Sequence, residues 1–178
     1  MVIVDTDFLS SFSKINRLKL ILKSLNIKKF VVPSTVYGEI QNSNFFEKIS
    51  HLFVFKEEDL TEDSFILVKN VNLNTSTQYF KKEEISVFGK GEIGCFLLAK
   101  ETNDKILIDD RAARDFAKEN HVKVVSVPAF LMECKNKNII SSKEMKQIIK
   151  DLKEKDYYEF TKEIEKLFFE NGKKALNR

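Results

Sequence analysis

Five glycines, two prolines, two cysteines, two histidines and no tryptophan occur in 178 residues. So little glycine and proline excludes a loop-rich or disordered chain. The two cysteines, Cys95 and Cys134, lie in apolar or mixed contexts. They exclude a disulfide scaffold and read as packing thiols, reduced in a cytoplasmic protein. His51 and His121 flank apparent strands with no partner at ligand spacing, so they read as turn residues and not as metal ligands. No stretch approaches the roughly 18 apolar residues of a membrane span. The opening MVIVDTDF reads as a strand rather than a charged leader, which again points to the cytoplasm and away from a membrane. Charge of one sign is also lacking. Thirty Lys and Arg against 27 Asp and Glu leave a net +3, which permits nucleic-acid binding without demanding it.

What is present is a phenylalanine-rich core, 16 Phe in a chain that is 43% hydrophobic, and a length suited to one domain with or without an extension. Short apolar runs at 2–5, 29–32, 52–56, 105–109 and 123–127 lack polar alternation, as strands buried on both faces do. Helical periods lie between them, over 8–25, 91–101 and 111–119. Pro33 and Pro128 each follow a strand directly, suiting a first helical turn. This alternation predicts an α/β fold with a central five-stranded parallel sheet, and the strands at 2–5 and 105–109 are expected adjacent in its centre because Asp5 and Asp110 would then share one cleft. Between 57 and 90, Thr61 followed by Glu62 and Asp63 predicts a helix start, and 70–80 a loop. Glycines 89, 91 and 94 mark a tight entry into the helix that carries Glu92. Beyond about residue 136 the strand signals stop. Ser141 and Glu144 form a capping box, and Asp156 is read as the start of a second amphipathic helix. The predicted organisation is a domain over 1–135 and a C-terminal helical hairpin over 136–178, packed on the sheet domain or across a homodimer.

Four acids punctuate this pattern. Asp5 closes one strand and Asp110 another, Glu92 opens a helix, and Glu39 lies one or two turns into the helix after Pro33. Singly, Asp5 and Asp110 read as helix caps, Glu92 as a first-turn residue and Glu39 as a solvated face. Together they can reach one cleft outside the carboxyl ends of parallel strands. An oxygen-only donor set with no cation among its members suits Mg²⁺ or Mn²⁺. Two such ions could support hydrolysis of a phosphodiester.

The segments VIVDTDFLSS, PSTVYGEI, GKGEIGCFLLAKE and KILIDDRAARDFAKENHVKVVSVPAFL resemble the PIN domain family, over roughly residues 1–135. The stretch from Leu131 to Phe160 resembles the C-terminal extension of one PIN-like branch. The resemblance implies a three-layer PIN-like fold and a metal-dependent nuclease, often a ribonuclease and in some members a toxin paired with a protein antitoxin. It implies Asp5, Glu39, Glu92 and Asp110 as catalytic metal ligands, with Thr6, Asp7 and Asp109 supporting them. The chain departs from that branch in having Gly94 where many members carry a second Glu, and in lacking glycine in the Ser126–Pro128 turn.

Arg111, Arg114 and Lys118 form a basic stripe on one helix next to Asp110, placed to hold an RNA backbone or to face solvent. Two other readings fit parts of the pattern. Asp5-Thr6-Asp7 after an apolar strand, with a late Asp109-Asp110 pair, is similar to haloacid-dehalogenase phosphatases, where Asp5 would be a nucleophile and Asp7 a general acid. That reading leaves Glu39 and Glu92 unexplained. A PIN-like domain that binds nucleic acid without cleaving it is the third.

Overall fold

The computed structural model describes residues 1–170. The sheet is parallel throughout and has six strands: β1 (Val2–Val4), β2 (Phe30–Pro33), β3 (Phe53–Val54), β4 (Ile66–Lys69), β5 (Lys105–Leu107) and β6 (Val124–Val125). Their spatial order is β3-β4-β2-β1-β5-β6. β1 and β5 are adjacent, Ile3 beside Ile106 and Val4 beside Leu107. The inner strands are buried on both faces, which is why their sequences lack alternation.

The sixth strand corrects the expected count of five. β4 lies where a helix was expected after Thr61. The Thr61 hydroxyl instead accepts from the Asp63 amide at 3.2 Å, and the Thr61 amide donates to the Ser64 carbonyl at 3.0 Å. That closes a tight turn, and Phe65-Ile66-Leu67-Val68 runs on as a buried strand. Residues Leu73–Gln78, expected as loop, form a 3₁₀ helix.

Helices α1 (Thr6–Lys14) and α2 (Leu18–Leu25) lead to β2, and α3 (Ser34–Gln41) leaves it. Single-turn α4 (Phe46–Ile49) and α5 (Lys82–Ile85) precede the long α6 (Lys90–Thr102), then come α7 (Arg111–Glu119), α8 (Val127–Asn136), α9 (Ser142–Asp156) and α10 (Lys162–Phe169). The continuous apolar period over 8–25 is therefore two helices. The break falls at Asn16, whose φ of 57° is left-handed, a conformation asparagine adopts more readily than most residues.

Two aromatic clusters fill the core. Phe8 and Phe12 stack at 4.8 Å, and both meet Phe130 edge-on. Phe80, Phe88, Phe96 and Phe116 pack together around α6 and α7.

The C-terminal helices are packed, as their apolar stripes require. Met145, Ile148, Leu152, Phe160 and Phe168 are buried in the same core as the sheet. One boundary differs. Asp156 ends α9 rather than starting the next helix, and α10 begins after the Thr161 cap, whose hydroxyl accepts from Ile164. Tyr157 and Phe160 belong to the connector between them. The expected extension runs to 178, and its last eight positions lie outside the described residues. No helix among the described residues is long and apolar enough to cross a membrane.

Candidate metal centre

Strands that follow β1 in sequence pair on one side of it, through β2, whereas β5 pairs on the other side and leads on to β6. The chain thus leaves the carboxyl ends of β1 and β5 in opposite directions and opens a crevice between them, the usual ligand position in an open α/β sheet. Asp5 and Asp110 stand at that crevice. The Asp5 amide donates to the Leu107 carbonyl at 3.0 Å, extending the β1–β5 ladder by one step.

Asp5 is also the N-cap of α1, its carboxylate accepting from the Asp7 amide at 3.4 Å. Asp110 caps α7 by accepting from the Ala113 amide at 2.8 Å. Glu92 occupies the third position of α6 and reaches back to the Gly89 amide at 2.8 Å. The cap reading holds for Asp5, Glu92 and Asp110, and each cap uses one carboxylate oxygen and leaves the second free. Glu39 is held on both oxygens: Oε1 accepts from the Gly91 amide at 2.8 Å, and Oε2 accepts from the Thr6 hydroxyl. Close approach of α3 explains the two glycines within the start of α6. A Cβ on Gly91 would lie 2.3 Å from Glu39 Oε2, and one on Gly94 would lie 2.1 Å from Thr35 Oγ1. Gly94 is the seat of α3 against α6.

The electrostatics of the group are one-sided. Burial pushes the Asp5 carboxyl up to about 7, with the charges of Asp7 and Glu92 adding to the rise against the hydrogen bonds from the Thr6 and Asp7 amides. Partial burial raises Glu92 as well, reinforced by Asp110, Asp7 and Glu39. Asp7, exposed at its tip, is raised by partial desolvation and then by Asp156, Asp110, Glu39 and Asp109. Among the described residues no Lys or Arg pairs with Asp5, Asp7, Glu39, Glu92 or Asp110; the nearby cations are engaged elsewhere.

Arg114 is one of these. It donates to the Asp109 carbonyl and lies 3.8 Å from Asp109 Oδ1, while the same oxygen accepts from the Val127 amide at 2.9 Å. Asp109 therefore ties α7 to the start of α8, and Arg114 is a clamp within the fold rather than a free phosphate ligand. Arg111 and Lys118 remain exposed, both 3.7 Å from Asp115.

One acid that the sequence reading assigned only to a helix start borders the group. Asp156, at the end of α9, accepts from the Ser11 hydroxyl and pairs with Lys14 Nζ at 2.6 Å. No local motif marks it, because an acid ending an amphipathic helix looks like any solvated acid. Only the packing of α9 on α1 brings it beside Asp7.

Among the described residues, no three His, Cys, Asp or Glu side chains are already gathered closely enough to hold an ion. The donor chemistry nevertheless fits a hard divalent cation. Its members are all carboxylates, caps engage only one oxygen each of Asp5, Glu92 and Asp110, and no side-chain cation among the described residues relieves their mutual repulsion. Asp5 is buried, Glu92 half-buried and Asp110 exposed.

A parallel α/β sheet with a carboxylate-lined crevice at its switch point defines the class. The profile of the family DUF3368, a PIN domain, matches residues 1–171, and the chain belongs to that family. PIN domains are typically metal-dependent nucleases. The match sets Asp5-Thr6-Asp7 in a PIN domain rather than in a dehalogenase-type phosphatase. Among solved structures, a PilT N-terminus domain protein from the hyperthermophilic archaeon Sulfolobus solfataricus P2 is similar at 17% identity and a TM-score of 0.46, covering 72% of this chain and 88% of that one. A search of curated proteins returns no match.

Proposed function

We propose that this chain is an endoribonuclease that requires Mg²⁺ or Mn²⁺ and hydrolyses RNA phosphodiester bonds. The observation that supports the proposal is the mutual repulsion felt among Asp5, Asp7, Glu39, Glu92 and Asp110, which come from separated segments and have no side-chain cation paired with them among the described residues. Asp5, Glu92 and Asp110 are the residues that would hold the ion, with Glu39 beside them. When bound, a divalent ion supplies charge neutralisation at phosphate oxygens and lowers the pKa of a coordinated water.

The chain's own residues do the rest. Asp5, fixed by the β1–β5 ladder and buried, is the rigid anchor. Thr6 and Gly91 orient the Glu39 carboxylate by holding both oxygens. Asp110 is aimed by its cap bond to α7, and Asp109 with Arg114 keeps that corner in place. Arg111 and Lys118, exposed on α7, attract the phosphate backbone of the substrate.

RNA as the substrate, and a toxin-like role with a protein antitoxin or as a homodimer, rest on the family likeness. The test is incubation of mixed RNA and DNA pools with the purified chain in Mn²⁺, in Mg²⁺ and in EDTA, with Asp110→Asn as control. Metal-dependent RNA cleavage lost in the variant supports the proposal. Binding of RNA without cleavage in either metal would establish the non-catalytic reading instead.

A further inference from the structure

A cleft lies at the amino-terminal end of the sheet, opposite the acids at its carboxyl end. It has a volume of about 980 Å³. Its lining comes from the start of β1, from the end of α2 and the turn into β2, and from residues 60–62 ahead of β4. In a parallel sheet these are all amino-terminal strand ends, so the cleft is separate from the metal centre by construction.

The chemistry of the cleft is amphipathic. Half-buried Leu22, Ile27 and Leu60 supply an aliphatic floor, and exposed Lys19, Lys23 and Lys28 supply a cationic rim. Glu62 is the single acid in the lining. Lys19 is paired loosely with Asp63 at 3.4 Å, while Lys23 and Lys28 make no ion pair among the described residues.

We infer that this cleft is a docking site for an acidic amphipathic helical segment of a partner protein. Such a segment would set leucine-like side chains on the floor and Asp or Glu side chains against Lys23 and Lys28. Charge complementarity selects an anion. The floor then discriminates between anions: it contains no aromatic ring, whereas sequence-tolerant binding of single-stranded nucleic acid relies on aromatic stacking platforms. Aliphatic grooves flanked by charge are the usual receptors of amphipathic helices. The chain's own last eight residues, with Lys173, Lys174 and Arg178 and no acid, have the wrong charge to fill it.

The test uses the full chain and a fluorescein-labelled helical peptide of about 15 residues, long enough to form a helix when bound. Leucine stands at every third or fourth position of the probe and glutamate elsewhere. A matching peptide with lysine for glutamate and a single-stranded RNA of similar length are the competitors. The acidic peptide is expected to bind with salt-sensitive affinity and to perturb backbone amide resonances over 19–29 and 60–62. The K23E/K28E double variant, altered only at exposed positions and checked for an unchanged melting temperature, is expected to lose at least about tenfold in affinity, as reversing contact charges should. An L60N variant reports on the floor independently of charge and is expected to weaken binding too. Absence of binding, equal binding to the double variant, perturbation elsewhere on the protein, or preferential occupation of the cleft by RNA would each overturn the assignment.

Discussion

Glu39 accepts a hydrogen bond from the Gly91 amide at 2.8 Å, joining α3 to the first turn of α6 across 52 positions of sequence. The contact exists because residue 91 has no side chain. Gly91→Ala would set a methyl group 2.3 Å from Glu39 Oε2, so the carboxylate must leave its place. The expected outcome is a small change in stability, under about 1 kcal/mol, because the displaced atoms are the end of an exposed, flexible side chain, and a large loss of nuclease activity. Chemical denaturation and an RNA cleavage assay on the same preparation check both. Unchanged activity would mean that the position of Glu39 does not matter.

Asp5 gives the protein an unusual pH dependence in the absence of divalent ions. Its folded-state pKa, about 7, stands above the value of an unfolded aspartate, so between about pH 4 and 7 the folded state binds more protons. The contribution of this group to stability is complete below about pH 4 and is lost as the pH rises toward 7, opposite to a salt-bridged carboxylate. Asp5→Asn keeps an acceptor for the α1 cap and removes the charge. In EDTA at pH 8 it should melt higher than the wild type, by on the order of 2 kcal/mol, and the difference should vanish at pH 4. Parallel melting curves that do not converge at low pH would contradict this.

The basic residues of α7 should separate into two groups. Arg111→Ala and Lys118→Ala are expected to raise the KM for RNA several-fold and to flatten its salt dependence, leaving kcat and stability nearly unchanged. Arg114→Ala should instead destabilise the fold by about 1–3 kcal/mol, because it removes the clamp on Asp109. Cleavage kinetics at two salt concentrations, together with melting curves, distinguish the two groups.

The C-terminal helices reach the site through Lys14 and Asp156, paired at 2.6 Å with Asp156 only 11% exposed. Removing Lys14 leaves that acid unbalanced beside Asp7. Lys14→Ala should cost about 1–3 kcal/mol, and Lys14→Ala with Asp156→Asn together should cost less than the single change. A double-mutant cycle in denaturant measures the coupling, and a coupling near zero would show that α9 is not electrostatically joined to the site.

Much of this arrangement was legible in the sequence because its signals are local. Asp5, Glu92 and Asp110 stand at strand ends or helix starts, where the switch from apolar run to helical period is plain. Adjacency of β1 and β5 followed from asking where Asp5 and Asp110 could meet. β4 was not legible: Thr61-Glu62-Asp63 carries the same residues whether it caps a helix or closes a turn, and a four-residue apolar run has no period of its own. The end of α9 was hidden for a related reason. Its cap, Tyr157, adopts a φ of 54° where glycine or asparagine is the usual signal, so Asp156 looked like the start of a helix. The Glu39–Gly91 bond and the Lys14–Asp156 pair depend on helix packing, which spacing along the chain does not encode.

The central claim is that Asp5, Glu39, Glu92 and Asp110 serve one divalent-cation site. Titration of Mn²⁺ into the protein, followed by the electron paramagnetic resonance of the free ion, tests it most directly. The account predicts saturable binding by the wild type and at least about tenfold weaker binding by Asp5→Asn, Glu92→Gln and Asp110→Asn alike, each of which removes one charged oxygen donor. Wild-type protein that leaves the free-ion signal unchanged, or variants that bind Mn²⁺ as the wild type does, would contradict it and leave these acids as helix caps.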